Sequence, residues 1–395
     1  MPPEKPMPGP SNEVPPIHGD VSDENTATSN GDVHIRTMDG LYYDFQLVGE
    51  FVAMRSKAGD FEIQVRQAPW GGTSRSVSTN TAIALNVAGD RVGVHTGKNP
   101  PVLVNGSPAA ANDQPLALRN GGRITTSGDT VAVRWPDGSE ARIVLQSGYL
   151  NLFISLTEQR AGTISGLLGN FDGNAGNDLI TRDGKLLKIV DATASVPGKQ
   201  VPSLYRIFGD GWRVETSESL FDYGPGESTA RFTDRNFPYH DVGVSSSDGA
   251  ARAQAESRCR DAGIFDARFI ANCVLDITAT GDATFIQSAL QAQSEVKLQK
   301  GLNCILVSGS GSRCTVYEPD LPDSKVGAVV HIKIETDRGG KHGVESFECT
   351  EVDEAHRASC KFVTNGEVFV GSATSLSYAS VSGDDKQLSG VMQGR

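Results

Sequence analysis

Strict two-residue alternation is the feature that most narrows what this chain can fold into. In FEIQVRQ, Phe61, Ile63 and Val65 fall on one side and Glu62, Gln64 and Arg66 on the other. TAIALNV repeats the pattern with Ile83, Leu85 and Val87, and YLNLFISL with Leu150, Leu152, Ile154 and Leu156. Successive side chains of a strand point to opposite faces, so each segment reads as a half-buried strand. Turns separate them: RNGGR around Gly121, and WPDGSE, whose Asp137-Gly138 pair suits a hairpin. From Gly31 to about Gly162 the pattern predicts a mainly β fold, an antiparallel sandwich or meander of about ten strands.

The flanking segments differ. Residues 1–30 are rich in Pro, Ser and Asn with almost no apolar pattern, and read as a disordered linker. The β-rich domain is expected over 31–215 and an extended connector over 216–246. From 247 to 300 the period becomes helical, with Asp266 and Asp282 as N-cap candidates. Strand patterns return over 301–395 as a small β-rich module to which the sequence assigns no activity. All six cysteines lie beyond residue 258, as three successive close pairs without a CxxC spacing. Zinc ribbons and thioredoxin-like sites therefore lose support, and local disulfides in an oxidising compartment are expected, with Cys259 and Cys273 stapling two helices. The first twenty residues contain no apolar leader core, so a secreted chain would derive from a longer precursor or have its leader missing from this sequence.

GLLGNFDGNAGNDLITRDG, from Gly166 to Gly184, concentrates oxygen-bearing side chains. Asn170, Asp172, Asn174 and Asp178 have the spacing of positions 1, 3, 5 and 9 of an EF-hand loop. The rest of that frame is absent: Ala175 stands where glycine is needed, Thr181 where a bidentate Glu belongs, and no helix precedes. With no His or Cys nearby, the donors suit a hard cation such as Ca2+ better than zinc or copper. A series of Asx turns has the same composition, and the residues alone leave both readings open.

Two distant stretches carry a resemblance. GDVHIRTMDGLYYDFQLVGEFVAMRS and GTISGLLGNFDGNAGNDLITRDG are similar to the opening and closing signatures of von Willebrand factor type D domains. The resemblance covers about residues 31–200, in a cysteine-poor, bacterial-type form, and the following Cys-bearing helices resemble the C8-like region found after such domains. It implies a calcium site in which the Asp of the opening Thr-x-Asp-Gly joins the closing loop. Here that set is Asp39, Asn170, Asp172 and Asp178, with Asn174 and Asn177 as further oxygen donors. Two departures stand out: Ser165 and Leu168 replace the cysteines that usually flank the loop, and Asp32-Val33 replaces the Asp-Pro bond at which some mucin-like members cleave themselves. Self-cleavage is not expected.

No His-Glu-x-x-His, Gly-x-Ser-x-Gly, P-loop or dinucleotide motif occurs, and the seven histidines are scattered. His34 is expected to support its strand and loop locally, and Trp70, Trp135 and Trp212 to serve core or rim packing. The net charge of -12 disfavours nucleic acid or anionic lipid as a partner, and no apolar run is long enough to span a membrane. The resemblance implies a secreted or cell-surface, calcium-binding, non-catalytic module with protein partners or self-association in a matrix. The alternatives are an accessory region of a secreted enzyme and a D domain tied to a lipid carrier.

Overall fold

The computed structural model describes residues 26–109, 115–187, 203–239, 249–264 and 268–295 with side chains, and backbone strands at 21–25 and between 301 and 392. Fifteen strands build the first part: β1 (Val21–Asn30), β2 (His34–Arg36), β3 (Tyr42–Asp44), β4 (Gly49–Ser56), β5 (Phe61–Pro69), β6 (Ser78–Val87), β7 (Asp90–His95), β8 (Val102–Val104), β9 (Ser107–Pro108), β10 (Leu116–Ala117), β11 (Arg123–Ser127), β12 (Thr130–Arg134), β13 (Glu140–Leu145), β14 (Leu150–Thr157) and β15 (Ile164–Ser165). They form an eight-stranded sheet in the order β10-β11-β12-β13-β14-β1-β2-β3 and a seven-stranded sheet in the order β15-β4-β5-β6-β7-β8-β9. The pairings are antiparallel throughout.

The alternating residues make the core between the sheets. Phe61, Ile63, Val65, Ile83 and Leu85 from one sheet share a single buried cluster with Val131, Val133, Ile143, Leu152 and Ile154 from the other. Burying such side chains fully contributes about 1.5–3 kcal/mol each. Trp135 closes one end, its ring 4.4 Å from that of Phe61 and its Nε1–H donated to the Asn86 carbonyl at 2.9 Å.

Three features go beyond the alternation. First, β1 starts at Val21, inside the stretch expected to be linker. It inserts between β14 and β2, and its polar residues Thr28, Ser29 and Asn30 are buried because the ladder and Asn80 satisfy them. Second, the supposed solvent face of β5 is covered. The connector runs over it with a one-turn helix, α1 (Thr229–Phe232), so that Gln64 bonds the backbone of Glu218 and Leu220. The Arg66 guanidinium sits 3.5 Å from the Phe232 ring centroid and pairs with buried Glu50 at 2.7 Å. Third, both faces of β14 are buried. Leu150, Leu152, Ile154 and Leu156 face the core, whereas Asn151 and Phe153 face three helices, α2 (Gly249–Asp261), α3 (Ala267–Thr280) and α4 (Phe285–Glu295).

The helices follow the predicted pattern. Asp282 accepts the Thr284 N–H at 2.8 Å before α4; Asp266 lies outside the described residues. Cys259 and Cys273 are disulfide-bonded, joining α2 to α3. Tyr149 stacks on Phe285 at 4.8 Å, Trp70 meets both rings edge-on, and Asn151 donates to Ser288 Oγ at 3.0 Å and Gln291 Oε1 at 2.8 Å.

Seven further strands follow: β16 (Gly301–Val307), β17 (Gly311–Glu318), β18 (Val329–Arg338), β19 (Lys341–Glu351), β20 (Ala358–Thr364), β21 (Ser372–Ser380) and β22 (Asp385–Met392). They form a three-stranded sheet, β16-β17-β20, and a four-stranded sheet, β19-β18-β21-β22. Cys304 and Cys314 are register partners across β16 and β17. Cys349 and Cys360 fall on strands of different sheets, and the side chains of all four lie outside the described residues.

Candidate metal sites

Thr37-Met38-Asp39-Gly40 forms the tight connection between β2 and β3, held by Thr37 N–H donating to the Leu41 carbonyl and Leu41 N–H to Thr37 Oγ1, both at 2.8 Å. The closing loop leaves β15 beside it. Leu167 and Leu168 donate their N–H groups to Val52 and Ala53 of β4, and Met38 N–H reaches the Leu168 carbonyl at 3.0 Å. The turn thus lies directly against a loop some 130 residues later in the chain.

Asp39 crosses that junction. Its Oδ2 accepts the Asp172 N–H and its Oδ1 the Gly173 N–H, each at 3.0 Å. Asp178 returns the link: Oδ2 accepts from Thr37 Oγ1 at 2.6 Å and Oδ1 from the Asn170 N–H at 3.2 Å. Asn170 Nδ2 donates to Asp172 Oδ2 at 3.1 Å and Asn177 Oδ1 at 2.9 Å, and Asn177 Nδ2 donates to Asp172 Oδ2 at 2.8 Å. Five of the six expected oxygen donors therefore meet in one network. Asn174 stands at its margin, giving its N–H to Asp172 Oδ1 while its own side chain caps a one-turn helix by accepting from Gly176 N–H.

Gly169 makes the close approach possible. Its φ is +86°, and a Cβ there would stand 2.3 Å from Asp178 Oδ1. The Asp39 and Asp178 carboxyl groups are close enough for their charges to repel. Burial and the Asp39 charge push Asp178 up to about 8, and burial raises Asp39 as well. Two carboxylates so placed need a shared proton or a cation between them. The donors gathered here are all oxygens, the ligand type of hard divalent ions.

A second cluster lies at the other end of β2. Asp32, His34 and Asp276 are 0%, 3% and 1% exposed, and one ligand atom from each lies within 4.8 Å of the others, so the group can hold a metal ion. His34 Nε2 is 2.8 Å from Asp32 Oδ1 and 2.9 Å from Asp276 Oδ1; Nδ1 is 2.7 Å from Asp44 Oδ1. Burial pulls the His34 pKa down, but Asp32 and Asp276 outweigh it and hold the imidazole well above its ordinary value. Burial and the Asp276 charge raise Asp32 well above the carboxylate range, against the lowering by His34. Val33, between the two ligands, is buried at a φ of +49°, a strained position for a β-branched residue. Its carbonyl accepts from Phe45 N–H at 2.9 Å, and Gln46 Nε2 donates to the Asp32 carbonyl, so the turn is pinned on both sides.

His34 was expected to act locally. It instead reaches Asp276 on α3, 242 residues away, a partner that sequence reasoning missed. The signal available was the Gly-Asp-x-His motif, which supplies two of the three groups but says nothing about the third.

The von Willebrand factor type D domain model matches residues 27–185, a span that contains both motifs joined across the turn and loop. These residues form a D-type domain. Human Sushi domain-containing protein 2 is 26% identical over 206 residues, covering 50% of this chain and 24% of that protein. Rat SCO-spondin is 28% identical over 172 residues, covering 42% of this chain and 3% of the relative. Human IgGFc-binding protein is 25% identical over 273 residues, which reaches into the helical region and covers 67% of this chain but 4% of the relative. The chain thus spans a quarter or less of the length of each.

Within the D domain, Leu168 is fully buried in the core where the family usually has a cysteine, and Ser165 pairs with Arg55 at the edge of β4. No described helix is long and apolar enough to cross a membrane.

Proposed function

We propose that this chain is a non-catalytic, calcium-binding module of a secreted or cell-surface protein, acting through protein contacts or self-association in a matrix. The observation that carries the reading is the meeting of Asp39, from the opening motif, with Asp178 and Asp172 of the closing loop in one network. Three carboxylates and two amides around one loop form the oxygen-rich, highly charged environment that calcium requires. When bound, the ion supplies charge neutralisation and a cross-link; the chain's own residues hold the loop against β4 and orient the donors. With Leu168 and Ser165 in place of cysteines, the ion takes over the fastening that a disulfide gives other members. The chain's similarity to a segment of SCO-spondin, a very large protein of which it covers 3%, supports a modular role.

Thermal unfolding with and without EDTA tests the reading. The chelator should lower Tm, and Asp172→Ala should remove most of that sensitivity while leaving the sandwich folded. An unchanged melt in EDTA, with no calcium in the purified protein, would contradict it.

A further inference from the structure

We propose that Asp32, His34 and Asp276 form a second metal site, for a divalent transition ion of the zinc class, which fastens helix α3 to the turn between β1 and β2. Four observations converge on it. The donors are one imidazole nitrogen and two carboxylates, a set that suits zinc-like ions and not calcium, which takes oxygen ligands. The far side of the imidazole is already engaged: His34 Nδ1 lies 2.7 Å from Asp44 Oδ1, the carboxylate partner that orients a ligating histidine and turns its Nε2 lone pair inward. Both oxygens of Asp32, and Asp276 Oδ2, are buried without a hydrogen-bond partner; the 2.8 Å approach of Asp32 Oδ1 to Nε2 is a charge contact off the N–H axis. Finally, Gly31 lines the centre: a Cβ there would sit 2.8 Å from Asp276 Oδ2 and 3.3 Å from His34 Cδ2.

A dication with neutral His34 balances the charges of Asp32 and Asp276. Ligand atoms about 2.0 Å from a tetrahedral ion stand about 3.3 Å apart. The present Nε2-to-oxygen distances are 2.8 and 2.9 Å, so small side-chain shifts open the site. The third ligand comes from the helical region, so the ion would couple the D domain to the helices that cover β14.

The full chain, without an affinity tag, expressed with zinc supplementation and kept in calcium throughout, provides the test. Metal analysis after dialysis should find one zinc per chain, and excess zinc should raise the Tm of the metal-stripped protein by about 5 °C or more. Substituted Co2+ should give visible absorption bands of a low-coordinate site. Asp276→Asn should weaken zinc and cobalt binding at least tenfold while calcium uptake is unchanged, and His34→Gln should abolish the cobalt bands. Should His34→Gln fail to fold, the wild-type cobalt spectrum and the Asp276→Asn comparison still decide. Wild-type protein that holds neither zinc nor cobalt, or binding that survives Asp276→Asn at full strength, overturns the proposal. Intact zinc and cobalt binding in a chain that takes up no calcium would overturn only the calcium reading.

Discussion

Asp178 concentrates the chemistry of the closing loop in one side chain. It is 2% exposed, accepts from Thr37 and Asn170, and faces Asp39 carboxyl to carboxyl. A carboxyl whose folded pKa, here about 8, lies above its ordinary value of 3.8 takes up a proton on folding. Its contribution to metal-free stability is therefore greatest at low pH and falls as pH rises through about 8. Calcium must displace that proton, so its affinity should weaken roughly tenfold for each pH unit below about 8. Titrations at three pH values check this, and an affinity flat from pH 8 down to 6 would contradict the shared-proton arrangement. At this scale the sequence was informative where donors cluster in one stretch: the spacing of Asn170, Asp172 and Asp178 marked the loop, and the family motif added Asp39. Asp276 was illegible, because an Asp midway along an amphipathic helix reads as a solvated residue until the helix is docked.

Strand β14 shows what alternation can and cannot report. Leu150, Leu152, Ile154 and Leu156 announced the inner face, and all four are fully buried. The outer face, with Asn151 and Phe153, looked half polar, yet α4 and its neighbours bury it and satisfy Asn151 through Ser288 and Gln291. A strand's own pattern describes its two faces but not what later elements lay over them. The connector behaved in the same way: its short apolar groups Phe221 and Phe232 gave no periodic signal, and they act by covering Arg66 and the small residues Ala82 and Ala84. The helices were legible from their caps and cysteines. Linking Cys259 to Cys273, 14 residues apart, restricts the unfolded chain and contributes about 3 kcal/mol to the helical segment. Replacing both with Ser should therefore make helix loss, followed by circular dichroism, precede the sandwich transition on heating; a single unshifted transition would contradict that assignment.

As a whole, the described molecule is a β-sandwich whose outer surfaces are covered by its own later segments. The connector lies over β5, and the helices lie over β14 and Tyr42, with Phe269 edge-on to the Tyr42 ring. A chain ended at Tyr239 uncovers Tyr42, Tyr149 and Phe153, all buried in the full protein. That truncation should melt several degrees lower and bind a hydrophobic dye; an equal Tm with no dye binding would mean that the helices are a separate appendage. The sandwich, its covering elements and the loop-to-turn junction together make a module whose two ends of the family signature are brought into contact, a contact we propose calcium holds closed. Isothermal titration of calcium into metal-stripped full chain and into Asp39→Asn at pH 8 addresses this most directly. Saturable binding at the loop is expected in the wild type, lost in the variant while the sandwich stays folded; equal calcium binding by the two proteins, or none by either, would rule out a calcium-closed junction.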